Sequence, residues 1–385
     1  MIRFSLRLSA GLLLAFVAGC VGSDGTGGWR QSAEPEADAD FHPHHRGRDA
    51  ANLPEAAGAA DAGSAVQVAD ALGDADPDAD GTDLGLAPSA PVTVVVLPDT
   101  QYYSSSHPEI FADQTRWIVE QKSIRNIAAV LHEGDVVDGA SDKAQWTVAN
   151  SAMRALDGVV PYVLVPGNHD SDANRVGLID SYFAPATMPW ITGIMTAGQI
   201  ENNYAVVDIG PQQWLVLGLE FGPRDAVLTW ADGVLKNYPT LPAIIVTHAY
   251  LYGDGTRYNY ADYGSSQGYY PRFYNFTPAE GINDGQDIWQ KLILPNANVR
   301  LVFSGHDNGA ARLTSLRANG SPVHQMLADY QWLYDGTADA RGGSGYLRVL
   351  EFDYGKKEIR VQTYSPYLDK SMTDDANQFT VSLEI

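Results

Sequence analysis

The chain has 385 residues, with 47 Asp and Glu against 25 Lys and Arg, for a formal net charge of −22. That balance argues against a nucleic-acid groove, which needs a basic face, yet leaves room for an anionic substrate if bound cations invert the local field. One cysteine in the whole chain rules out a disulfide framework.

Residues 1–19 carry Arg3 and Arg7, then the apolar run Leu8–Val17, then small residues before Cys20. This is the pattern of a secretory signal, too short for a membrane span. The ending Val17-Ala18-Gly19-Cys20 resembles a bacterial lipobox, which implies cleavage before Cys20 and a lipid on its sulfur. Val21 after the cysteine points to the outer membrane or cell surface within the envelope.

Residues 20–90 read as a linker rich in Ala, Gly and Asp. From Val21 to Ser89 there are fourteen acidic residues against three arginines and few large apolar side chains. Such a segment buries too little surface to offset its ordering entropy, so a disordered tether is expected. Asp76, Asp78, Asp80 and Gly81 look like the start of a calcium loop, but Ala87 stands where the bidentate Glu belongs. His42, His44 and His45 read as solvated spacer.

Residues 91–385 have a globular composition. Val92–Leu97 is a β-branched run, the mark of a strand covered on both faces, and it runs into Asp99 and Gln101. A helix is expected from Pro108 to about Ser123, and a strand over Ile127–Leu131 leads to Gly134-Asp135-Val136-Val137-Asp138. A helix over about Lys143–Leu156 precedes the apolar run Tyr162–Val165, which ends in Gly167-Asn168-His169-Asp170. This alternation predicts right-handed parallel units.

Asn203–Glu220 alternates as a hairpin around Gly210-Pro211, and Asp225–Asn237 is amphipathic. The strand Ala243–Val246 ends at Thr247-His248. A helix over Gln286–Leu294 and a strand over Val299–Phe303 follow, the latter ending at Gly305-His306-Asp307-Asn308. Gln325–Ala328 reads as a strand, and Tyr346–Asp353 with Glu358–Tyr364 as a hairpin. Tyr250–Phe276 breaks the rhythm: it holds eight of the twenty tyrosines, with Arg257 and Arg272, and lacks a clear period. Tyrosine suits half-wet clefts, so Tyr250, Arg257 and Arg272, with Tyr102 near the first strand, are the expected substrate-lining residues. Asn275-Phe276-Thr277 matches a glycosylation sequon, which means little behind a bacterial lipoprotein signal.

Five apolar strands thus each end in a metal-ligand type of residue: Asp99, Asp135, Asn168, His248 and His306. Ligands of open parallel sheets gather beyond the carboxyl ends of the strands, so five turns are expected to converge on one crevice. The series Asp99, Gly134-Asp135-x-x-Asp138, Gly167-Asn168-His169-Asp170, His248 and Gly305-His306 resembles the calcineurin-like metallophosphoesterases. The resemblance implies a four-layer α/β/β/α sandwich, two adjacent divalent cations and hydrolysis of phosphate mono- or diesters. Asp135 would bridge both cations, Asn168, His248 and His306 would complete one shell, and Asp99 would hold the other. His169 would sit over the phosphate, oriented by Asp138.

The sequence departs from that family's pattern in three places. Gln101 and Asn308 stand where histidines are usual, and both fall on the same cation. Its shell becomes Asp99, Gln101, Asp135 and Asn308, an oxygen set suited to Mn, Mg or Ca, whereas the histidine-bearing shell suits Mn, Fe or Zn. Gly139-Ala140 stands where phosphoprotein phosphatases often place an arginine. The expected function is metal-dependent phosphoester hydrolysis outside the cytoplasm. The rival is a binding protein at the cell surface that keeps the fold with weakened turnover.

Overall fold

The run Val92–Leu97 forms strand β1, and every residue of it is buried. The reason lies in its two faces. Val95 and Leu97 pack under helices, while Val94 and Val96 face a second sheet. A strand alternates its side chains between faces, so one covered on both sides cannot alternate in polarity. The chain is seen in a computed structural model that describes residues 90–274, 281–332 and 342–385. The signal-like start, Cys20, the linker to residue 89 and the sequon at Asn275 lie outside the described residues.

After β1 come helix α1 (Gln101–Ser105), α2 (Pro108–Gln121), β2 (Ile127–His132), α3 (Lys143–Arg154) and β3 (Tyr162–Leu164). Pro108 opens α2 at a position where no backbone N–H is needed. Asp142 caps α3 by accepting from Ala144 N at 2.8 Å, which satisfies an otherwise orphaned donor. A short helix α4 (Ile179–Tyr182) and strand β4 (Gly193–Ile194) lead to the hairpin β5 (Asn203–Ile209) and β6 (Gln212–Leu219). Then follow α5 (Asp225–Asn237), β7 (Ala243–Thr247), α6 (Tyr260–Tyr263), α7 (Gly285–Ile288) and β8 (Val299–Ser304). The chain ends in β9 (Gly309–Leu316), β10 (Pro322–Asp329), β11 (Leu347–Asp353), β12 (Glu358–Ser365), β13 (Lys370–Met372) and β14 (Phe379–Ser382).

Among the described residues the strands form two seven-stranded sheets. One runs β13-β12-β11-β1-β2-β3 with β14 on β12, the other β4-β5-β6-β7-β8-β10-β9. Within them β1, β2 and β3 are parallel neighbours, as are β6, β7, β8 and β10. The sheets stack through Val94, Val96, Leu131 and Val163 on one side and Val216, Val246, Leu301 and Phe303 on the other. Each such buried side chain contributes about 1.5–3 kcal/mol. α2 and α3 cover the outer face of the first sheet, and α5 and α7 cover that of the second. These are the four α/β/β/α layers expected.

The helix expected over Gln286–Leu294 is present, as α7 continued by a wider helical turn at Trp289–Ile293. Other elements differ from their sequence reading. The strand read at Gln325–Ala328 extends back to Pro322, and β9 beside it was unforeseen. The tyrosine-rich stretch is pinned in short pieces, α6 among them, with Tyr258 and Tyr270 buried. Among the described residues no helix is long and apolar enough to cross a membrane.

Candidate metal centre

The turns after β2 and β3 are locked together before any ligand is considered. Asp170 is fully buried, and its carboxylate accepts from the backbone N–H groups of Val136, Val137 and Gly167 at 3.1, 2.9 and 2.7 Å. His132, at the end of β2, bonds Thr100 at 3.0 Å and so ties the turn after β1 to the same frame. Burial, with His248 nearby, pushes the His132 pKa down to about 3, so the ring stays neutral. Two glycines make the approach possible. A Cβ on Gly167 would fall 2.0 Å from Asp135 Oδ1, and one on Gly305 would fall 2.0 Å from Asp99 Oδ1. Asp135 and His306 themselves hold φ of +48° and +77°. Non-glycine residues carry such strain mainly at sites of function.

On this frame four electron-pair donors converge. His248 Nε2 lies 3.2 Å from Asp135 Oδ2, 3.1 Å from Asn168 Oδ1 and 3.2 Å from His306 Nδ1. The remaining ring nitrogen of each histidine faces a backbone carbonyl: His248 Nδ1 donates to Glu133 O at 2.9 Å, and His306 Nε2 to Tyr269 O at 2.6 Å. Those bonds fix both tautomers, so the inward nitrogens offer lone pairs. Two lone pairs, a carboxylate and an amide oxygen facing one another have no hydrogen to share. A cation satisfies all four. Without one, a proton must serve. Burial opposes the charge on His248, but Asp135 beside it raises its pKa, while burial and His248 together push His306 down to about 3.

Asp99, Asp135 and His248 bring ligand atoms within 4.8 Å of one another, so Asp135 lies between this cluster and a second group. Burial raises the Asp99 pKa well above its usual range, with the charges of Asp329, Asp135 and Glu133 adding to the effect. Gln101 is buried beside them, and its Nε2 donates to Gln331 Oε1 at 2.6 Å. That bond turns the other end of the amide inward, and Gln101 Oε1 has no partner among the described residues. Gln331 N in turn donates to Asp329 Oδ1 at 2.9 Å. Asn308 is exposed but lines the same cleft. Crowded carboxylates and an unpartnered buried carbonyl fit a second, hard cation.

His169 stands at the edge of the cluster. Its N–H donates to Asp135 Oδ1 at 3.0 Å, and its ring Nδ1 faces Asp138 O at 2.9 Å and Asp138 Oδ1 at 3.3 Å. Burial works against the charged ring, but Asp138 and Asp135 win and raise its pKa to about 9. The expected pairing of His169 with Asp138 is present, and it favours the protonated ring.

A cleft of about 150 Å³ is lined by Gln101, Asp135, Asn168, His169, His306 and Asn308, with Tyr102, Tyr269, Tyr274, Gln331 and Trp332. Among the described residues no Lys or Arg lines it. Of the four expected substrate-lining residues only Tyr102 is there. Tyr250 is fully buried and its hydroxyl donates to Gln325 Oε1 at 2.8 Å. Arg257 lies 4.0 Å over the Trp289 ring and donates to Gln325 and Ser315. Arg272 pairs with Asp287 at 3.1 Å on the surface. These three brace the loop instead of facing the cleft. Gln331 and Trp332 were not anticipated, because nothing in their local pattern distinguishes them from ordinary loop residues; Tyr269 and Tyr274 do come from the tyrosine-rich stretch, where other members were expected to line the cleft.

The model of the calcineurin-like phosphoesterase family matches residues 92–309. The chain belongs to that family. As a calcineurin-like phosphoesterase it carries a fold associated with metal-dependent hydrolysis of phosphate esters, and the Asp99, Asp135 and His248 cluster fits that chemistry. It is 33% identical over 311 residues to the uncharacterised protein YvnB of Bacillus subtilis strain 168, which takes in 76% of this chain and 22% of the relative. The chain therefore spans about a fifth of that relative's length. Among solved structures it is similar to GAP50, the anchor in the inner membrane complex of Plasmodium, at 13% identity and TM-score 0.42, covering 77% of this chain and 89% of that one. It is also similar to TT1561 of Thermus thermophilus, at 11% identity and TM-score 0.37, covering 76% of this chain and 100% of that one.

Proposed function

We propose that this calcineurin-like phosphoesterase hydrolyses phosphate mono- or diesters outside the cytoplasm, held to the envelope by a lipid on Cys20. The observation that carries the catalytic part is the meeting of His248, His306, Asn168 and Asp135 through lone pairs, with His169 paired to Asp138 beside them. Asn168, His248, His306 and Asp135 would hold one divalent cation. Asp99, Asp135 and Gln101, with Asn308 at the rim, would hold the other. When bound, such a pair polarises the phosphoryl group and acidifies the attacking water, so no protein nucleophile is needed.

The protein's own groups then do the rest. Gln331 holds the Gln101 carbonyl toward the centre, and the carbonyls of Glu133 and Tyr269 hold the two histidine tautomers. His169 delivers a proton to the departing oxygen or stabilises charge there, while Asp138 keeps its Nδ1 face occupied and its Nε2 face open. The export reading rests on the signal-like start and on Cys20 being the chain's one cysteine.

Metal analysis of the purified protein, with assays on nitrophenyl phosphate and bis-nitrophenyl phosphate, tests the catalytic part. Hydrolysis of at least one ester that depends on added Mn, Mg, Zn or Fe is the expected result. No turnover of either with any of these metals would leave a binding protein, the rival that Gln101 and Asn308 favour by replacing two ligand histidines.

A further inference from the structure

The cleft over the candidate centre is walled by aromatic rings that the reaction as described does not use. Tyr102 and Trp332 meet edge to face with ring centroids 5.1 Å apart. Tyr274 lies 5.6 Å from the His306 ring, and Tyr269 lines the same cleft. Trp332 is 50% exposed and Tyr269 67% exposed, so both rings face solvent.

Three of these rings, Tyr102, Trp332 and Tyr269, are also tied to the centre through the chain. Tyr102 follows Gln101 in the chain. Trp332 follows Gln331, which accepts from Gln101 Nε2 at 2.6 Å. The Tyr269 carbonyl accepts from His306 Nε2 at 2.6 Å, and Tyr269 holds a left-handed φ of +50°. A tyrosine kept in that strained region by a bond to a ligand histidine, with its ring left in solvent, is held open on purpose-built geometry. Loose surface aromatics have no such anchors.

We propose that Tyr102, Trp332, Tyr269 and Tyr274 form a stacking subsite for a flat ring carried by the substrate, so that the favoured substrates are phosphate esters of aryl or nucleoside type. This rests on the phosphohydrolase reading. Aromatic faces give a large contact at small entropic cost and accept any ring with a π-face. Among the described residues the cleft offers no Lys or Arg, so apart from the proposed cations its lining is aromatic and amide in character. A neutral flat ring finds a partner there.

Two measurements on the full chain loaded with Mn test the subsite. The first compares binding of phenylphosphonate and methylphosphonate, neither of which needs to be turned over. Phenylphosphonate is expected to bind about tenfold tighter or more, Trp332→Ala and Tyr269→Ala each to erase most of that preference, and Trp332→Phe to keep it. The second compares bis-nitrophenyl phosphate with methyl nitrophenyl phosphate, which share a leaving group and differ in one ring. Their kcat/KM ratio is expected to favour the two-ring ester and to collapse in the alanine variants. Equal binding of the two phosphonates, or a preference that survives both alanine variants, overturns the subsite. Selective phenylphosphonate binding without hydrolysis of any ester overturns the phosphohydrolase reading and leaves the subsite standing.

Discussion

At the residue scale, removing the His169 imidazole separates turnover from metal binding. His169 meets Asp135 through its backbone N–H, and its ring turns to Asp138, so His169→Ala should keep its cations. It should lose about 10²–10⁴-fold in kcat, the usual share of general acid catalysis, and loss of a cation on metal analysis would contradict the assignment. A raised pKa means the proton leaves only as the pH climbs. The wild-type rate should therefore hold through neutrality and fall on an alkaline limb at or below about 9, since bound cations oppose the ring's charge, and the limb should vanish in His169→Ala. The oxygen-rich group makes a second prediction. The protein should retain about one tightly held transition metal after dialysis and gain activity on added Mn or Mg. Gln101→His with Asn308→His should raise tight occupancy to about two, because imidazole favours Zn and Fe; two tight metals in the wild type would show that Gln101 and Asn308 leave no weak shell. These ligands are legible in the sequence because each ends an apolar strand, where position and chemistry coincide. The roles of Tyr250, Arg257 and Arg272 are not, since the partners of a phenol or a guanidinium in a loop without period are set by tertiary placement alone.

At the scale of elements, the turns carry more constraint than the strands they end. Gly167→Ala places a methyl 2.0 Å from Asp135 Oδ1, so either the carboxylate or the turn must move. We expect a loss of about 1–3 kcal/mol in urea unfolding of the metal-free protein, with a drop in metal content as the larger effect; unchanged metal affinity would mean that the turn yields without displacing Asp135. The central strands were readable because burial on both faces leaves an unbroken apolar run. β9 and β14 were not. Gly309–Leu316 is half exposed and mixes Gly, Ala, Arg and Thr, and Phe379–Ser382 has four residues with one of them buried. Edge strands of that kind take their conformation from the neighbour they pair with, which propensity cannot report.

At the scale of the whole molecule, the proposed anchor at Cys20 lies in sequence ahead of every described strand and helix. Cys20→Ser should abolish membrane retention on fractionation while leaving kcat on the same ester unchanged; equal retention of variant and wild type would remove the anchor. A chain beginning at Ala90 should unfold at the same urea concentration as the full chain, because the two stacked sheets and their helices lie wholly beyond that point. The stacking of two sheets followed from doubly apolar strands and the family resemblance together. Which strands neighbour which, with β11 beside β1 and β10 between β8 and β9, depends on pairings far apart in the chain and was not legible.

The ligands are divided between the sheets: Asp99, Asp135 and Asn168 follow β1, β2 and β3, while His248 and His306 follow β7 and β8. On the proposed assignment the histidine-bearing shell draws on both sheets, so a bound cation would be a clasp across the seam, and its affinity would gauge how the sheets are aligned. Trp214 packs edge to face on Phe352 across that seam, near the opposite end of β6 from the ligands. A small slip there would be read out at the clasp as a faster loss of metal.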